Sequence, residues 1–318
     1  MKKILISVAI MFVSGALHAQ SGYPNKPITL VVPYPVGGSN DVFARLIAKS
    51  LGEALKVAVV VDNRPGASGS TGTLQVSKAA PDGYTLLAVS SSMTTNVAIQ
   101  EKSGFDPTKN LTAIAMLAKG PFIVAVNDSF PAKDPKQLVA LLKANPGKYN
   151  YASSGTGSSN QFATELMKVM SGTFALHIPY RGMGPAVTDL IGGQTQILLA
   201  SGPSLLPQVR NGRIRAIGIT SLKPSPIAPE LIPMATAIPG YEFELWWGIL
   251  APPGVPSEIV SLLNSQINKI LNLPETKAAF LREGAETYPE TPAQFASRIS
   301  GDILRWKNIA KRQNITAE

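Results

Sequence analysis

The chain is 318 residues long, 45% hydrophobic and 15% charged. That length carries one large domain or two moderate ones, and so low a charge with so many apolar residues excludes a disordered chain and a coiled coil. The formal net charge of +9 favours anionic ligands or surfaces. The basic residues are nevertheless scattered singly, without a long Lys/Arg run or any helix-turn-helix or zinc spacing, so no nucleic acid partner is expected.

Residues 1–19 read as a cleavable secretory signal. Lys2 and Lys3 precede an uncharged run from Ile4 to Leu17 that is too short to span a bilayer, and small residues follow it. The cut fits after Ala19 or, because Leu17 is bulky for the position two before it, after Ala16. Loss of Lys2 and Lys3 lowers the charge by two, to +7. With no cysteine there is neither a disulfide nor a lipid-modified cysteine, so the mature protein is expected to be free in the bacterial periplasm.

Short, nearly unbroken apolar runs at 28–34, 56–63, 84–91, 122–127, 149–154, 196–202 and 214–221 read as parallel strands covered on both faces. Helical patterns lie between them. Over 39–55, Phe43, Leu46, Ile47, Leu51 and Leu55 recur at the spacing of one apolar helix face. After residue 255 only helices are predicted, at 257–271, 274–284 with Gly284 as a stop, and 291–313. The fold class is α/β, with mainly parallel sheets flanked by helices. Extended, aromatic-rich segments at 119–131 and 241–256 read as two bridges between domains, which makes residues 23–123 plus 248–318 one discontinuous domain and 124–247 the other. The rival is a single doubly wound sheet.

Two loops carry the functional signal. In "VVPYPVGGSND" a strand breaks at Pro33 into a loop with Gly37 and Gly38, and Ser39 or Asn40 can cap the helix that follows. In "NYASSGTGSSNQ" the same design recurs, with Ser158 and Gln161 at capping-box spacing. Helix starts present unpaired N–H groups and the positive end of the macrodipole, and so bind anions. Neither loop is a nucleotide motif: no lysine follows a second glycine, and Asn160 stands where a dinucleotide fingerprint needs its third glycine. "RPGASGSTG" lacks the lysine too, although Ser70 or Thr71 can cap a further helix.

Catalytic residues are sparse. Once His18 leaves with the signal, His177 is the one remaining histidine, too few for a histidine metal site, and no cofactor or metal is expected. A serine hydrolase would have to combine His177 with Ser153, Ser154 or Ser158 and an acid such as Asp189. Asp41, in the first helical turn, is expected to point away from an anionic guest and support its own helix. Asp189 is open between holding a ligand amino group, bonding the loop from Arg181 to Gly184, and facing solvent. Tyr34, Trp246 and Trp247 are candidates for stacking on a planar ligand; the two tryptophans are consecutive in a strand, so at most one sees a cleft.

Five stretches, "YPNKPITLVVPYPVGGSNDVFAR", "VVVDNRPGASGSTGTLQVSKAAPDGYTLL", "YASSGTGS", "IPYRGMGPAVTDLIGGQ" and "WWGILAPPGVP", together resemble the Bug-type extracytoplasmic receptors of tripartite tricarboxylate transporters over nearly the whole mature chain. The resemblance implies a two-domain Venus-flytrap periplasmic binding protein of type II that closes on a small carboxylate and presents it to membrane permease subunits. It assigns ligand contact to Tyr34, Val36, Gly37, Gly38, Ser39 and Asn40 in the first loop and to Ser154, Gly155, Thr156, Gly157 and Ser158 in the second. The segment holding Ser90, Ser91, Ser92 and Thr94 lines the cleft by the same likeness, and Asp189 joins the candidates. Asn160 stands where the family usually carries a histidine, and Ser153 and Thr156 where it carries smaller residues. The implied protein is a monomer. Three classes thus compete: a solute receptor, whose partner is a permease, a sensor or both; a hydrolase using His177; and a secreted adhesive module.

Overall fold

The computed structural model describes residues 22–100, 105–313 and 315–316, so the expected signal at 1–19 lies outside the described residues. The first part of the chain runs β1 (Ile28–Val32), α1 (Ser39–Leu55), β2 (Val59–Asn63), α2 (Ser70–Ser77), β3 (Thr85–Ser90), α3 (Ser92–Ile99), α4 (Pro107–Asn110) and β4 (Thr112–Pro121). The middle runs β5 (Ile123–Asn127), α5 (Pro135–Ala144), β6 (Asn150–Ser153), α6 (Ser159–Ser171), β7 (Leu176–Pro179), α7 (Met183–Ile191), β8 (Ile197–Ala200), α8 (Gly202–Arg210) and β9 (Ile214–Ile219). The chain ends with β10 (Glu244–Ala251), α9 (Ser257–Asn272), α10 (Pro274–Arg282), β11 (Glu286–Thr287) and α11 (Pro292–Gln313).

Two sheets form, in the orders β11-β4-β10-β3-β1-β2 and β7-β6-β8-β5-β9. Both are mixed, which corrects the expectation of mainly parallel sheets. The pairs β1–β2, β1–β3, β6–β7 and β6–β8 are parallel, whereas β10 runs antiparallel to β3 and β4, β11 to β4, and β5 to β8 and β9. The reason is connectivity: a strand that leaves one sheet to enter the other, or returns from it, is not fed by a right-handed βαβ crossover and is free to run against its neighbours. Long apolar runs do not reveal direction, because a central antiparallel strand is covered on both faces too.

The chain passes between the sheets at Phe122 and again between Ile219 and Glu244, so Ile123 lies in the second sheet and residues 244–247 in the first. Buried Thr220 joins the two passages. The Phe122 N–H donates to its Oγ1 at 2.8 Å, and its hydroxyl donates to the Phe243 carbonyl at 2.7 Å. Phe122 and Phe243 stack at 5.6 Å, and Trp306 of α11 packs on Phe243 and on Phe162 of α6, so one apolar cluster continues through both halves.

The amphipathic pattern of α1 works as read: Phe43, Ile47 and Leu51 are buried, and Phe43 packs on Trp247 and Phe280. Gly248, in the middle of β10, is needed for close approach. A Cβ there would fall 2.2 Å from Phe295 Cζ, and the ladder shifts register beside it. The C-terminal helices fold back over the first sheet, α9 and α11 both contacting β4. Among the described residues no helix is long and apolar enough to cross a membrane.

Candidate functional site

The carboxyl ends of β1, β3, β6, β7 and β8 converge on a cavity of about 450 Å³, the place where open α/β sheets hold ligands and a volume suited to a small molecule. From the first sheet's side it is lined by Tyr34, Val36, Gly37, Gly38, Ser39 and Asn40, with Ser90 and Ser92 behind them. From the other side come Ser154, Asn160, Gly182 to Gly184, Ser201 and Ser204. Gly182 sits close to the first loop: a Cβ built on it would lie 3.0 Å from Pro35 Cγ.

The first loop delivers the chain to α1 with Gly38 as N-cap and no side-chain cap, so Ser39 and Asn40 occupy the first turn and, contrary to the expectation, do not cap the helix. Asp41 performs the local closure. Its buried carboxylate accepts from the Gly37 N–H at 3.0 Å, from Asn63 Nδ2 at 3.0 Å and from Arg45 at 2.9 Å. Burial pushes its pKa up, but Arg45, Gly37 and Asn63 outweigh that and hold it below the ordinary carboxylate range. Asp41 supports its own helix as expected, and in doing so it takes the Gly37 amide. The N–H groups of Ser39 and Asn40, in the first turn, have no partner within the helix.

Ser39 offers more than an amide. Trp247 Nε1 donates to its Oγ at 3.1 Å, which leaves the Ser39 hydroxyl proton for the cavity. Trp246 Nε1 donates to Asp302 on the opposite side of the sheet, and both tryptophans are core residues that do not line the cavity. Asn40 Nδ2 reaches Ser90 Oγ at 3.4 Å while its Oδ1 is buried without a partner. Tyr34 lines the wall, its phenol held protonated chiefly by burial.

The second glycine loop behaves differently. Of its residues only Ser154 lines the cavity; Gly155, Thr156, Gly157 and Ser158 do not. They pack on the first half of the molecule, where Ser68 Oγ donates to the Thr156 carbonyl at 3.1 Å and a Cβ on Gly157 would meet Ile99 at 2.7 Å. Three of these four amides are already used. The Gly155 N–H donates to Ser153 Oγ at 3.2 Å, that of Gly157 to Gln161 Oε1 at 2.7 Å and that of Ser158 to the Gly155 carbonyl at 3.1 Å. The expected capping box is therefore not made: Gln161 reaches past Ser158 to the Gly157 N–H, and the Ser158 hydroxyl donates to Gly155 O instead.

Ser91 and Thr94 are likewise off the cavity wall. The Ser91 and Ser92 hydroxyls meet Ser159 at 3.2 and 3.0 Å across the seam between the two halves, and Thr94 donates to the Ser91 carbonyl. Asp189 is not in the cavity either; it accepts from the Tyr180 hydroxyl at 2.7 Å, and the Tyr180 pKa is pushed up to about 12 by burial and by that carboxylate.

Sequence reasoning missed the starts of α7 and α8. Gly182, with φ +111°, and Ser201 are their N-caps, and the cavity meets both first turns. The signals were present as "RGMG" and "ASGPS", a glycine and a serine set just before Pro-containing helix starts. Asn160 is the most informative wall residue. It is 3% exposed, its Oδ1 accepts from Ser154 at 3.1 Å, and its Nδ2 is buried with no partner. A buried unpaired donor costs on the order of 1–3 kcal/mol, which a ligand acceptor recovers. Among the described residues no carboxylate lines the cavity, and Arg213 is the one charged residue on its wall.

Ser153 and His177 do come together, with Oγ 2.6 Å from Nε2. The wiring is wrong for nucleophilic catalysis. Gln161 Oε1 is fixed by the Gly157 N–H, so Gln161 Nε2 donates to His177 Nδ1 at 3.3 Å, and the imidazole proton sits on Nε2 and points at Ser153. Ser153 is fully buried, and burial lowers the His177 pKa to about 4, with Glu165 opposing and Lys168 adding to the shift. The pair ties β6 to β7. Among the described residues no cluster of His, Asp and Glu is disposed to hold a metal ion.

Two domains, each a mixed sheet wrapped by helices, with a polar cavity at their facing strand ends, define a periplasmic binding protein of the type II class. The chain belongs to the tripartite tricarboxylate transporter family of receptors, whose family model matches residues 43–315. Protein BugT of Bordetella pertussis is 33% identical to it, over 98% of this chain and 97% of BugT. The structure of Rhodopseudomonas palustris Rpa4515 with adipate superposes with a TM-score of 0.88 at 31% identity, covering 93% of this chain and 99% of that one. MatC of the same organism, with bound malate, gives 0.84 at 28% identity, covering 90% and 99%.

Proposed function

We propose that this chain is an exported receptor that captures a small carboxylate between its two domains, without transforming it, and hands it to the membrane subunits of a tripartite tricarboxylate-type transporter. The observation that carries this reading is the cavity wall: the helix starts of α1, α7 and α8 and Asn160, whose Nδ2 is buried without a partner, line one space that, among the described residues, no Asp or Glu lines. Donors in this number suit an anion, each charge-assisted hydrogen bond being worth roughly 1.5–3 kcal/mol. The bound adipate and malate of the two relatives support the same class of ligand. The candidate contacts are Tyr34, Gly38, Ser39, Asn40, Ser90, Ser154 and Asn160. The unpaired Asn40 Oδ1 suits a ligand hydroxyl or amino group beside the carboxylate.

We infer that the domains divide at Phe122 and at the segment from Thr220 to Phe243, and that these form the hinge of closure. Residues 1–19 and the lack of cysteine support delivery to the periplasm as a free protein. A thermal-shift screen of the mature protein against di- and tricarboxylates, acidic amino acids and aromatic acids tests the reading. Ligand at about 100 times its Kd stabilises by about 2.7 kcal/mol. Recovery of the ligand unchanged after incubation is expected; no shift with any acid would overturn the proposal.

A further inference from the structure

Between β2 and α2 four consecutive residues have positive φ: Gly66 at +146°, Ala67 at +46°, Ser68 at +53° and Gly69 at +96°. Glycine takes such angles freely, whereas alanine and serine do so against the clash of Cβ with the backbone. Space demands the two glycines as well, since a Cβ on Gly66 would fall 2.7 Å from Thr71 Oγ1 and one on Gly69 2.9 Å from the Tyr34 hydroxyl. They fold the segment into a tight finger, closed by the Gly69 N–H on the Gly66 carbonyl at 2.9 Å. Ala67 is exposed, and Ser68 is the strained residue whose side chain reaches a partner.

The Ser68 hydroxyl crosses to the second domain, donating to the Thr156 carbonyl at 3.1 Å, and stands 3.0 Å from the place a Cβ on Gly155 would take. Two residues on, Ser70 Oγ donates to Asn96 Oδ1 at 3.1 Å, and Asn96 lies against Gly157, where a Cβ would be 3.3 Å from the Asn96 Cα. The finger and its neighbour thus hold residues 155–157 from two sides. Both ends of this contact adjoin the cavity wall: Gly69 packs on the ring of Tyr34, and residues 155–157 run between Ser154 and Asn160. Neither passage between the sheets, at Phe122 or from Thr220 to Phe243, takes part in it. We propose that Ser68 is a positioning residue for the ligand, a latch that bonds the two domains outside the cavity, holds Ser154 and Asn160 opposite the start of α1, and so sets how long a captured ligand stays. This rests on the receptor reading above and goes beyond it. The bond exists only while the domains are closed, so its loss destabilises the closed form alone and speeds ligand escape, while capture by the open form is unchanged. The left-handed backbone is set within the finger and persists in both forms, which makes strain and bond separable.

Calorimetry with succinate, malate, adipate, citrate and glutamate finds the tightest-binding of these acids for the mature protein. Stopped-flow tryptophan fluorescence, which the bond from Trp247 to Ser39 makes sensitive to the cavity, then gives its kon and koff. Ser68→Ala and Ser68→Gly are each expected to raise koff about fivefold with kon unchanged, the worth of one neutral hydrogen bond. Without ligand, Ser68→Gly is expected to melt no lower than the parent, because glycine is unstrained at this φ. A residue that merely supported the fold would lose stability and affinity together. Unchanged koff in both variants, a loss carried by kon, or a loss of affinity matched by a lower ligand-free melting temperature in Ser68→Gly would overturn the latch and leave the carboxylate receptor standing. Failure of every acid to bind the unmodified protein would overturn both.

Discussion

The two glycine loops share a sequence design and meet opposite fates. Residues 34–40 open onto the cavity, with one amide, that of Gly37, taken by Asp41. Residues 155–158 fold onto the other domain, and Ser153, Gln161 and Gly155 take the amides of Gly155, Gly157 and Ser158. Glycines and small polar residues thus announce a helix start, while the side chains of the next turn decide whether its N–H groups stay free. One carboxylate at Asp41 leaves the loop open; an amide at Gln161, two steps from a serine–histidine pair, fills it.

The largest expected effect comes from forcing the second loop out of its place. Gly157→Val puts a β-branched residue at φ +82° and against Ile99 and the Asn96 backbone, and is expected to cost about 3 kcal/mol or more in urea unfolding. A variant as stable as the parent would show that the loop does not pack as described.

Asn160→Asp keeps the acceptor for Ser154 and turns the free donor into an anion at the cavity wall. Carboxylate affinity should fall about a hundredfold, near 2.7 kcal/mol, from a lost bond and a new repulsion. Unchanged affinity in calorimetry would remove Asn160 from the site.

Gln161→Leu unpairs the Gly157 N–H and His177 Nδ1 together and is expected to destabilise by about 2 kcal/mol. Gly37→Ala is the mild counterpart in the open loop. Nothing stands within 4 Å of the new methyl, so only the φ of +84° opposes it, at about 1 kcal/mol. Equal losses at positions 37 and 157 would erase the contrast between the loops.

The smallest effect is on pH dependence. His177 has a folded pKa of about 4 against 6.5 for the free side chain, so between these values the unfolded chain binds the extra proton. Stability is full above about pH 6.5 and declines as pH falls toward 4. His177→Gln should flatten that slope in melting curves; a slope left intact would place its origin elsewhere.

Much of the fold was legible because burial imposes periodicity. Helix α1 and the C-terminal helices follow their apolar stripes, and seven apolar runs became strands. Strand direction was not legible: β5 and β9 read like parallel strands and pair antiparallel, since direction follows from where the chain goes next. Strand β7 has an exposed, half-apolar pattern and gave no signal. At the site the first loop could be read from its glycines. The starts of α7 and α8 carried a signal in their glycine and serine, but the rest of their wall could not be read, because its residues are ordinary Val, Thr, Pro and Gln that acquire meaning from a shared trough.

A crystal structure of the mature protein with its carboxylate tests the central claim most directly. The account predicts a ligand oxygen within hydrogen-bonding distance of Asn160 Nδ2 and of the first-turn amides of α1. A carboxylate held instead by the amides of residues 155–158, with Asn160 still unpaired, would contradict it.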